Sequence, residues 1–226
     1  MYTLWIANKN YSSWSLRPWV LMRTLGIPFE ERLVAFGQSW EGQSLAQFSP
    51  SGRVPVLEHQ GLRIWDSLAI VEYLAERHPA VWPHPAPARA YARSAAAEMH
   101  SGFAVLRNTC GMSCGQRVRL RALGEGLRAG LTRPDRLLQH RLQAHGGPWL
   151  AGSRFTAVDA FFAPVAFRMQ TYGLPFGAVA VEYLQRLLQL PAMQDWYAAA
   201  LVEPWRDPAH EADVVAAGEV IEDLRA

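Results

Sequence analysis

Hydrophobic and polar positions follow two different periods along the first eighty residues. Residues 2–7, YTLWIA, combine aromatic and β-branched side chains and predict a strand. The segment 15–26, SLRPWVLMRTLG, spaces apolar residues at helical intervals, carries a proline in its first turn and ends on glycine. This pattern predicts a helix. A second strand is predicted over 27–35, IPFEERLVA.

A hairpin and another helix follow an irregular connection. The runs VPVLEH and LRIWD lie on either side of Gln60 and Gly61, which is a hairpin signal. Residues 67–78, SLAIVEYLAERH, form an amphipathic pattern with Asp66 or Ser67 as its cap. The predicted order is therefore β-α-β, a connection, and β-β-α.

The pattern changes after residue 79. Four prolines in PAVWPHPAPA interrupt every helical pattern and predict a stiff linker. Beyond them the chain is rich in Ala, Leu and Arg, and the tail from 203 to 226 is only weakly patterned. Helices are predicted over 88–109, 116–145, 156–171, 180–190 and 191–202. We therefore predict an α/β domain over 1–79, a linker over 80–87 and an all-helical domain over 88–226.

Composition and charge argue against several classes of protein, including nucleic-acid-binding and membrane proteins. Half of the 226 residues are hydrophobic and 19% are charged, which is typical of a compact soluble protein. The net charge is +2 and the arginines are scattered, so neither nucleic acid nor a membrane surface is indicated as a partner. Apolar runs are too short to span a bilayer, and no basic segment leads into an apolar one at the N-terminus. We expect a cytoplasmic protein.

Two short motifs carry weaker signals. Cys110 and Cys114 are too few for a disulfide framework and lack further ligands for zinc, so no metal is expected. On a helix they would lie on one face as small buried side chains, with a redox or pocket-lining role as the alternative. Thr156 and Asp159 have the spacing of a capping box before an apolar helix.

The combination of a βαβ-ββα unit, a proline-rich linker, an all-helical second domain and a Thr-x-x-Asp box resembles the cytosolic glutathione transferase family. The resemblance covers nearly the whole chain and is most specific over 52–74, GRVPVLEHQGLRIWDSLAIVEYL. It implies a thioredoxin-like first domain, glutathione as co-substrate and a cis peptide bond before Pro55.

The resemblance also implies a set of glutathione contacts. Val54 would pair its backbone with the extended tripeptide. Asp66 and Ser67, at the start of a helix, suit the ammonium and carboxylate of the γ-glutamyl end. Arg53 suits the glycyl carboxylate, and Trp40 occupies the position of a further polar contact, where it departs from the family pattern.

The hydroxyl cluster YSSWS is expected to hold the glutathione sulfur as a thiolate. Its serines, followed by Arg17, resemble the zeta class, with tryptophan in place of the cysteine of that class. Matching that pattern selects Ser12 as the catalytic donor, whereas counting back from Arg17 selects Ser13. We favour Ser12, interpret Ser15 as the helix cap and keep Tyr11 as an alternative donor.

A second zeta-like segment, HSGFAVLRN at 100–108, places Arg107 and Asn108 at the second-substrate pocket. Arg107 stands where the zeta class has glutamine, which favours a changed, anionic substrate.

The resulting hypothesis is a homodimeric glutathione transferase with a role in detoxification that attacks a small electrophile. The alternatives are a zeta-like isomerase acting on maleylacetoacetate or a non-catalytic binding protein with the same fold. Because no cysteine lies between residues 10 and 17, a thiol-disulfide reductase is disfavoured.

Overall fold

The first domain has the predicted order of strands and helices. The computed structural model describes residues 1–39, 42, 44–145 and 147–226, without the side chains of 144 and 145. The elements of this domain are β1 (Tyr2–Ile6), α1 (Ser13–Thr24), β2 (Phe29–Leu33), α2 (Leu45–Phe48), β3 (Val56–His59), β4 (Leu62–Ile64) and α3 (Ser67–Ala75). The sheet order is β2-β1-β3-β4, with β1 parallel to β2 and the remaining pairs antiparallel. The thioredoxin-like fold is confirmed.

The second domain is helical, as predicted, but also contains a two-stranded ribbon. Its helices are α4 (Ala86–Ser101), α5 (Ala104–Thr109), α6 (Glu125–His145), α7 (Ala157–Tyr172), α8 (Ala178–Leu188), α9 (Pro191–Leu201) and α10 (Pro208–Ala217). The strands β5 (Gln116–Leu120) and β6 (Gly218–Asp223) pair antiparallel. The prediction of helix over 116–120 was therefore wrong, and the final segment has more structure than its pattern indicated.

The ribbon was missed because its two strands lie about a hundred residues apart in the chain. The segment QRVRL alternates polar and apolar residues over too few positions to be distinguished from part of a helix. Val118 is buried because β5 pairs with the C-terminal segment and packs on α7. The predicted helix over 88–109 is likewise two helices, because Phe103 adopts a left-handed backbone with φ of 56° between them.

Helix α7 lies at the centre of the molecule. Nearly all of its residues are buried, and it packs against α1, α4 and α8. Its start is the predicted capping box: the Asp159 carboxylate accepts hydrogen bonds from the Thr156 amide at 2.9 Å and the Leu150 amide at 2.9 Å. Because α1 of the first domain rests on α7 of the second, the two domains share one core.

Neither a membrane-spanning helix nor a metal site is found among the described residues. No helix in this part of the chain is both long and apolar enough to cross a membrane. No group of three or more His, Cys, Asp and Glu side chains within the same residues could hold a metal ion.

Candidate functional site

The predicted site residues converge on a cleft made of two adjoining cavities. The larger, of about 520 Å³, is lined by Ser12 and Ser13 from the start of α1 and by residues of the second domain. The smaller, of about 340 Å³, is lined by residues around β3 and the start of α3. Trp14, Arg53 and Val54 belong to both cavities, so these form one continuous cleft between the domains.

Val54 presents a free peptide group to this cleft. The peptide bond between Val54 and Pro55 is cis, as predicted. Val54 precedes the first residue of β3, and within the described residues its amide and carbonyl make no hydrogen bond. Arg53 is exposed beside it. Its backbone amide and carbonyl both hydrogen-bond to the Ser49 hydroxyl, while its guanidinium has no hydrogen-bond partner among the described residues. An extended peptide can therefore pair with Val54 while Arg53 meets a carboxylate.

Asp66 and Ser67 are brought together at the N-terminus of α3. Asp66 caps the helix, since its Oδ1 accepts a hydrogen bond from the Leu68 amide at 2.9 Å. Its Oδ2 lies 3.1 Å from Nε2 of His100, a cavity residue that the sequence did not single out. Burial lowers the pKa of His100, although Asp66 opposes this effect. Ser67 is buried, and its hydroxyl has no hydrogen-bond partner among the described residues.

The serines of the hydroxyl cluster differ in their hydrogen bonds. Helix α1 begins at Ser13 with Ser12 as N-cap, so the interpretation of Ser15 as the cap was wrong. Ser15 is buried inside the first turn, where its Oγ accepts hydrogen bonds from Ser12 Oγ at 2.7 Å and from the Ala7 amide at 3.3 Å. Within the described residues, the Ser13 hydroxyl has no hydrogen-bond partner. Ser13 alone of the three therefore has an uncommitted hydroxyl.

Tyr11 is also committed elsewhere. Its hydroxyl donates to Glu211 Oε1 at 2.5 Å and accepts from Arg225 Nη1 at 2.9 Å. Burial, together with the hydrogen bond to Glu211, raises the pKa of Tyr11 well above its ordinary value. These contacts argue against Tyr11 as the donor to a ligand sulfur.

The larger cavity is rich in cationic side chains. Arg107 lines it, with Nη1 donating to the carbonyl oxygens of Met99 at 3.2 Å and His100 at 2.9 Å. Arg168 of α7 lines the same cavity and donates through Nε to the Cys110 carbonyl at 2.8 Å. Burial lowers the pKa of Arg168 to about 10, so it remains charged at neutral pH. Such a cavity suits an anionic ligand.

Arg168 was missed because it lies in an apolar helix with no motif around it; its only local signal is a charge inside a hydrophobic run. His210 and Asp213 of α10 also line the cavity, and the tail gave no pattern that pointed to them.

The remaining predicted residues have different outcomes. Asn108 lines the larger cavity beside Arg107. Trp40 lies outside the described residues. Cys110 follows α5 and Cys114 lies in a loop, so the two do not share a helix face, but both thiols are buried. Burial raises the pKa of Cys110 to about 11, which leaves it as an unreactive thiol at neutral pH.

Comparison with known proteins gives matches along most of the chain. Residues 11–77 match the family model "Glutathione S-transferase, N-terminal domain", and residues 89–199 match "Glutathione S-transferase, C-terminal domain". The "Probable maleylacetoacetate isomerase" of Caenorhabditis elegans is 24% identical over 176 residues, which cover 77% of this chain and 80% of that protein. "Glutathione S-transferase DHAR2" of Arabidopsis thaliana is 28% identical over 144 residues, which cover 64% of this chain and 60% of that protein.

A solved structure shares the fold. The crystal structure of a Burkholderia glutathione transferase homologue with bound glutathione has a TM-score of 0.64 and 24% identity, and the match covers 88% of this chain and 97% of that one.

Proposed function

The chain belongs to the glutathione S-transferase family, and on that premise we propose that it activates the thiol of glutathione for attack on a small electrophile. The observation that carries the proposal is the convergence in one cleft of a free peptide group at Val54, an uncommitted hydroxyl at Ser13 and several cations. These groups are complementary to a tripeptide with a thiol and charged ends.

The smaller cavity would hold glutathione. In this arrangement the Val54 backbone pairs with the middle of the tripeptide, and Arg53 meets its glycyl carboxylate. Asp66 neutralises the γ-glutamyl ammonium. The amide and hydroxyl of Ser67 receive the neighbouring carboxylate, since the next two amides of α3 already donate to Asp66. Trp40 is proposed as a further contact on sequence grounds alone.

The start of α1 would hold the thiolate. A free thiol has a pKa of about 8.5 and is therefore mostly protonated at neutral pH. The nucleophile is the thiolate, so the site has to lower this pKa. The contacts support Ser13 as the donor to sulfur, because the Ser12 hydroxyl is shared with Ser15. Ser12 remains the choice favoured by the family pattern. The helix N-terminus adds a partial positive charge at the same place.

The larger cavity would hold the second substrate, and Arg107 and Arg168 favour one that carries a carboxylate. Isomerisation is the second candidate activity, supported by the relatives in Caenorhabditis elegans and Rhizobium meliloti that are named as maleylacetoacetate isomerases. We further propose a cytoplasmic homodimer with a role in detoxification. The segment 80–87, whose last two residues already belong to α4, would link the two domains.

The proposal is tested by titrating the protein with glutathione and assaying turnover with an aryl halide, a hydroperoxide and maleylacetone. We expect saturable glutathione binding and thiol-dependent turnover of at least one electrophile. Arg53→Gln should raise the KM for glutathione about tenfold, since one charge-assisted hydrogen bond is lost. Arg63→Gln, at an exposed position on β4, is the matched control and should leave it unchanged. Binding without any turnover would favour the non-catalytic protein.

A further inference from the structure

An aspartate and a histidine at the start of α10 form a pair beside the larger cavity. Asp207 is the N-cap of α10, and its Oδ2 accepts a hydrogen bond from the His210 amide at 3.1 Å. The same oxygen lies 2.6 Å from Nδ1 of the His210 ring. Burial alone would raise the pKa of Asp207, but the hydrogen bonds from His210 outweigh burial and lower it. Since an ionised carboxylate only accepts hydrogen bonds, Nδ1 carries a proton and Nε2 is the nitrogen left for a ligand.

The imidazole plane of His210 is held by two stacked aromatic rings. The Tyr11 ring stacks on it at 5.0 Å with an interplanar angle of 22°, and the Phe36 ring at 4.9 Å with an angle of 21°. Both aromatic residues belong to the first domain, so His210 of the second domain is held in place by the first. The neighbouring Glu211 reinforces this arrangement, because it binds both the Tyr11 hydroxyl and the Arg225 guanidinium.

His210 shares its cavity with the groups assigned to the reaction. The same cavity is lined by Ser12 and Ser13, where the thiolate is proposed to lie, and by Arg107 and Arg168, which suit a carboxylate. An oriented imidazole that lines the same cavity as a nucleophile and an anion site can exchange a proton with a bound substrate. Orientation of the ring by a carboxylate at the far nitrogen is an arrangement that recurs in histidine general acids and bases.

We propose that His210, oriented by Asp207, is the general acid that completes addition of the thiolate to an activated carbon–carbon double bond in a carboxylate-bearing substrate. This inference rests on the proposed function and names its substrate class. The sulfur–carbon bond forms as the π pair of the double bond moves onto the adjacent carbon. That carbon takes the proton from Nε2 of the imidazolium. His210 then recovers a proton from solvent, which balances the proton that the thiol released to solvent when the thiolate formed. The net reaction adds the thiol across the double bond without oxidation or reduction.

The test uses monomethyl fumarate, which carries one carboxylate and one activated double bond, with glutathione in deuterium oxide. Protonation by a fixed imidazolium delivers deuterium to one face of the new carbon centre, whereas solvent delivers it to both faces. We therefore expect the wild-type protein to give one diastereomer of the deuterated conjugate by NMR, after subtraction of the uncatalysed reaction.

Two variants and a control separate a chemical role from a structural one. His210→Asn should lower kcat for this substrate about a hundredfold, as loss of a general acid typically does, and should give both diastereomers. Asp207→Asn keeps a residue suited to the N-cap while removing the charge that orients His210, and it should also lower kcat and give a mixture. His84→Asn, at an exposed histidine before α4, is the matched control and should give the wild-type product.

The outcomes distinguish the inference from the function on which it rests. If His210→Asn slows the reaction but still yields one diastereomer, His210 is structural and the inference is wrong. If the wild-type protein conjugates an aryl halide but not monomethyl fumarate, the inference fails while the proposed function stands. If no electrophile is conjugated, the proposed function fails and the inference fails with it.

Discussion

At the scale of single residues, the start of α1 distinguishes hydroxyl groups that look equivalent in the sequence. Ser12 and Ser15 bond to each other, and Tyr11 bonds to the C-terminal segment, whereas Ser13 faces the cleft without a partner among the described residues. A hydroxyl that already donates to another group has to give up that hydrogen bond before it can donate to a ligand. The hydroxyl best placed to stabilise a thiolate is therefore the one without a competing partner.

Ser13→Ala should consequently raise the apparent pKa of bound glutathione by about 1 to 2 pH units, because a hydrogen bond to a charged group contributes roughly 1.5–3 kcal/mol. Ser12→Ala should have a smaller effect. The measurement is thiolate absorbance of bound glutathione as a function of pH, together with the pH dependence of conjugation. A larger rise in the thiol pKa for Ser12→Ala than for Ser13→Ala would assign Ser12 as the donor. If neither variant changed the thiol pKa, the hydroxyl cluster would serve only as a helix cap.

Arg107 supplies a second prediction at this scale. Its guanidinium lines the larger cavity and is held by two main-chain carbonyl groups. Arg107→Gln should raise the KM for a carboxylate-bearing electrophile about tenfold or more, with little change for a neutral one, since a charged hydrogen bond is lost only for the anion. Arg154→Gln, at an exposed residue before α7, is the control. Equal effects on both electrophiles would assign Arg107 a structural role.

At the scale of elements, the start of α7 concentrates a buried charge. The Asp159 carboxylate accepts hydrogen bonds from Leu150, Thr156 and Tyr183, yet it is fully buried in the core. Burial outweighs those bonds and raises the pKa of Asp159 from 3.8 to about 6. Because the raised pKa favours the protonated carboxyl in the folded state, its contribution to stability is complete below about pH 4 and is lost as the pH rises through about 6.

Urea unfolding of the wild-type protein and Asp159→Asn tests this contribution. The stability advantage of the wild type should shrink by on the order of 3 kcal/mol between pH 4 and pH 7, which is the value of about two pKa units. Asp195→Asn, an exposed position on α9, should show no such trend relative to the wild type. An advantage that grows with pH would show that Asp159 is ionised and stabilising in the fold.

At the scale of the whole molecule, the second domain fixes the loop that leads to Ser12 and Ser13. Glu203, which is buried after α9, accepts hydrogen bonds from the amides of Lys9 at 2.6 Å and Asn10 at 3.2 Å. Trp196 of α9 donates to the Lys9 carbonyl at 2.8 Å. The position of Ser12 and Ser13 therefore depends on contacts from the C-terminal domain.

Glu203→Ala should both destabilise the protein and impair the site. Two buried amides would lose their acceptor, at a cost of roughly 1–3 kcal/mol each. We expect a lower urea midpoint and a raised apparent pKa of bound glutathione, although residue 203 lies outside the cleft. Glu222→Ala, at an exposed residue of β6, should change neither quantity. A lower urea midpoint with an unchanged thiol pKa would show that the loop over residues 9–13 keeps its geometry without Glu203.

The proposed homodimer is a prediction at the same scale. Helices α4 and α6 border an open groove of about 710 Å³ that is lined by Tyr91, Ala95 and Leu137. In the family that the sequence resembles, the corresponding face packs against a second copy. Sedimentation equilibrium at micromolar concentration should give twice the mass of the 25.3 kDa chain. A monomer mass under these conditions would contradict the prediction.

The sequence by itself determined the features that depend on neighbouring residues. Hydrophobic periodicity predicted the order of strands and helices in the first domain, and the capping box at Thr156 gave the start of α7 to the residue. The residues around Val54 and Asp66 that we propose as glutathione contacts could also be placed in the cleft, because each motif lies within a few residues of the chain and its chemistry is local.

Tertiary structure alone decided the features that join distant segments. The strand β5 exists because it pairs with the C-terminal segment, and Ser13 rather than Tyr11 is free because Glu211 takes the Tyr11 hydroxyl. Arg168 and His210 reach the cavity only through the packing of α7 and α10. Contacts between residues separated by tens to hundreds of positions leave no periodic pattern in the sequence. The sequence therefore pointed to Arg107 and Asn108 in the larger cavity, but not to Arg168, His210 or Asp213.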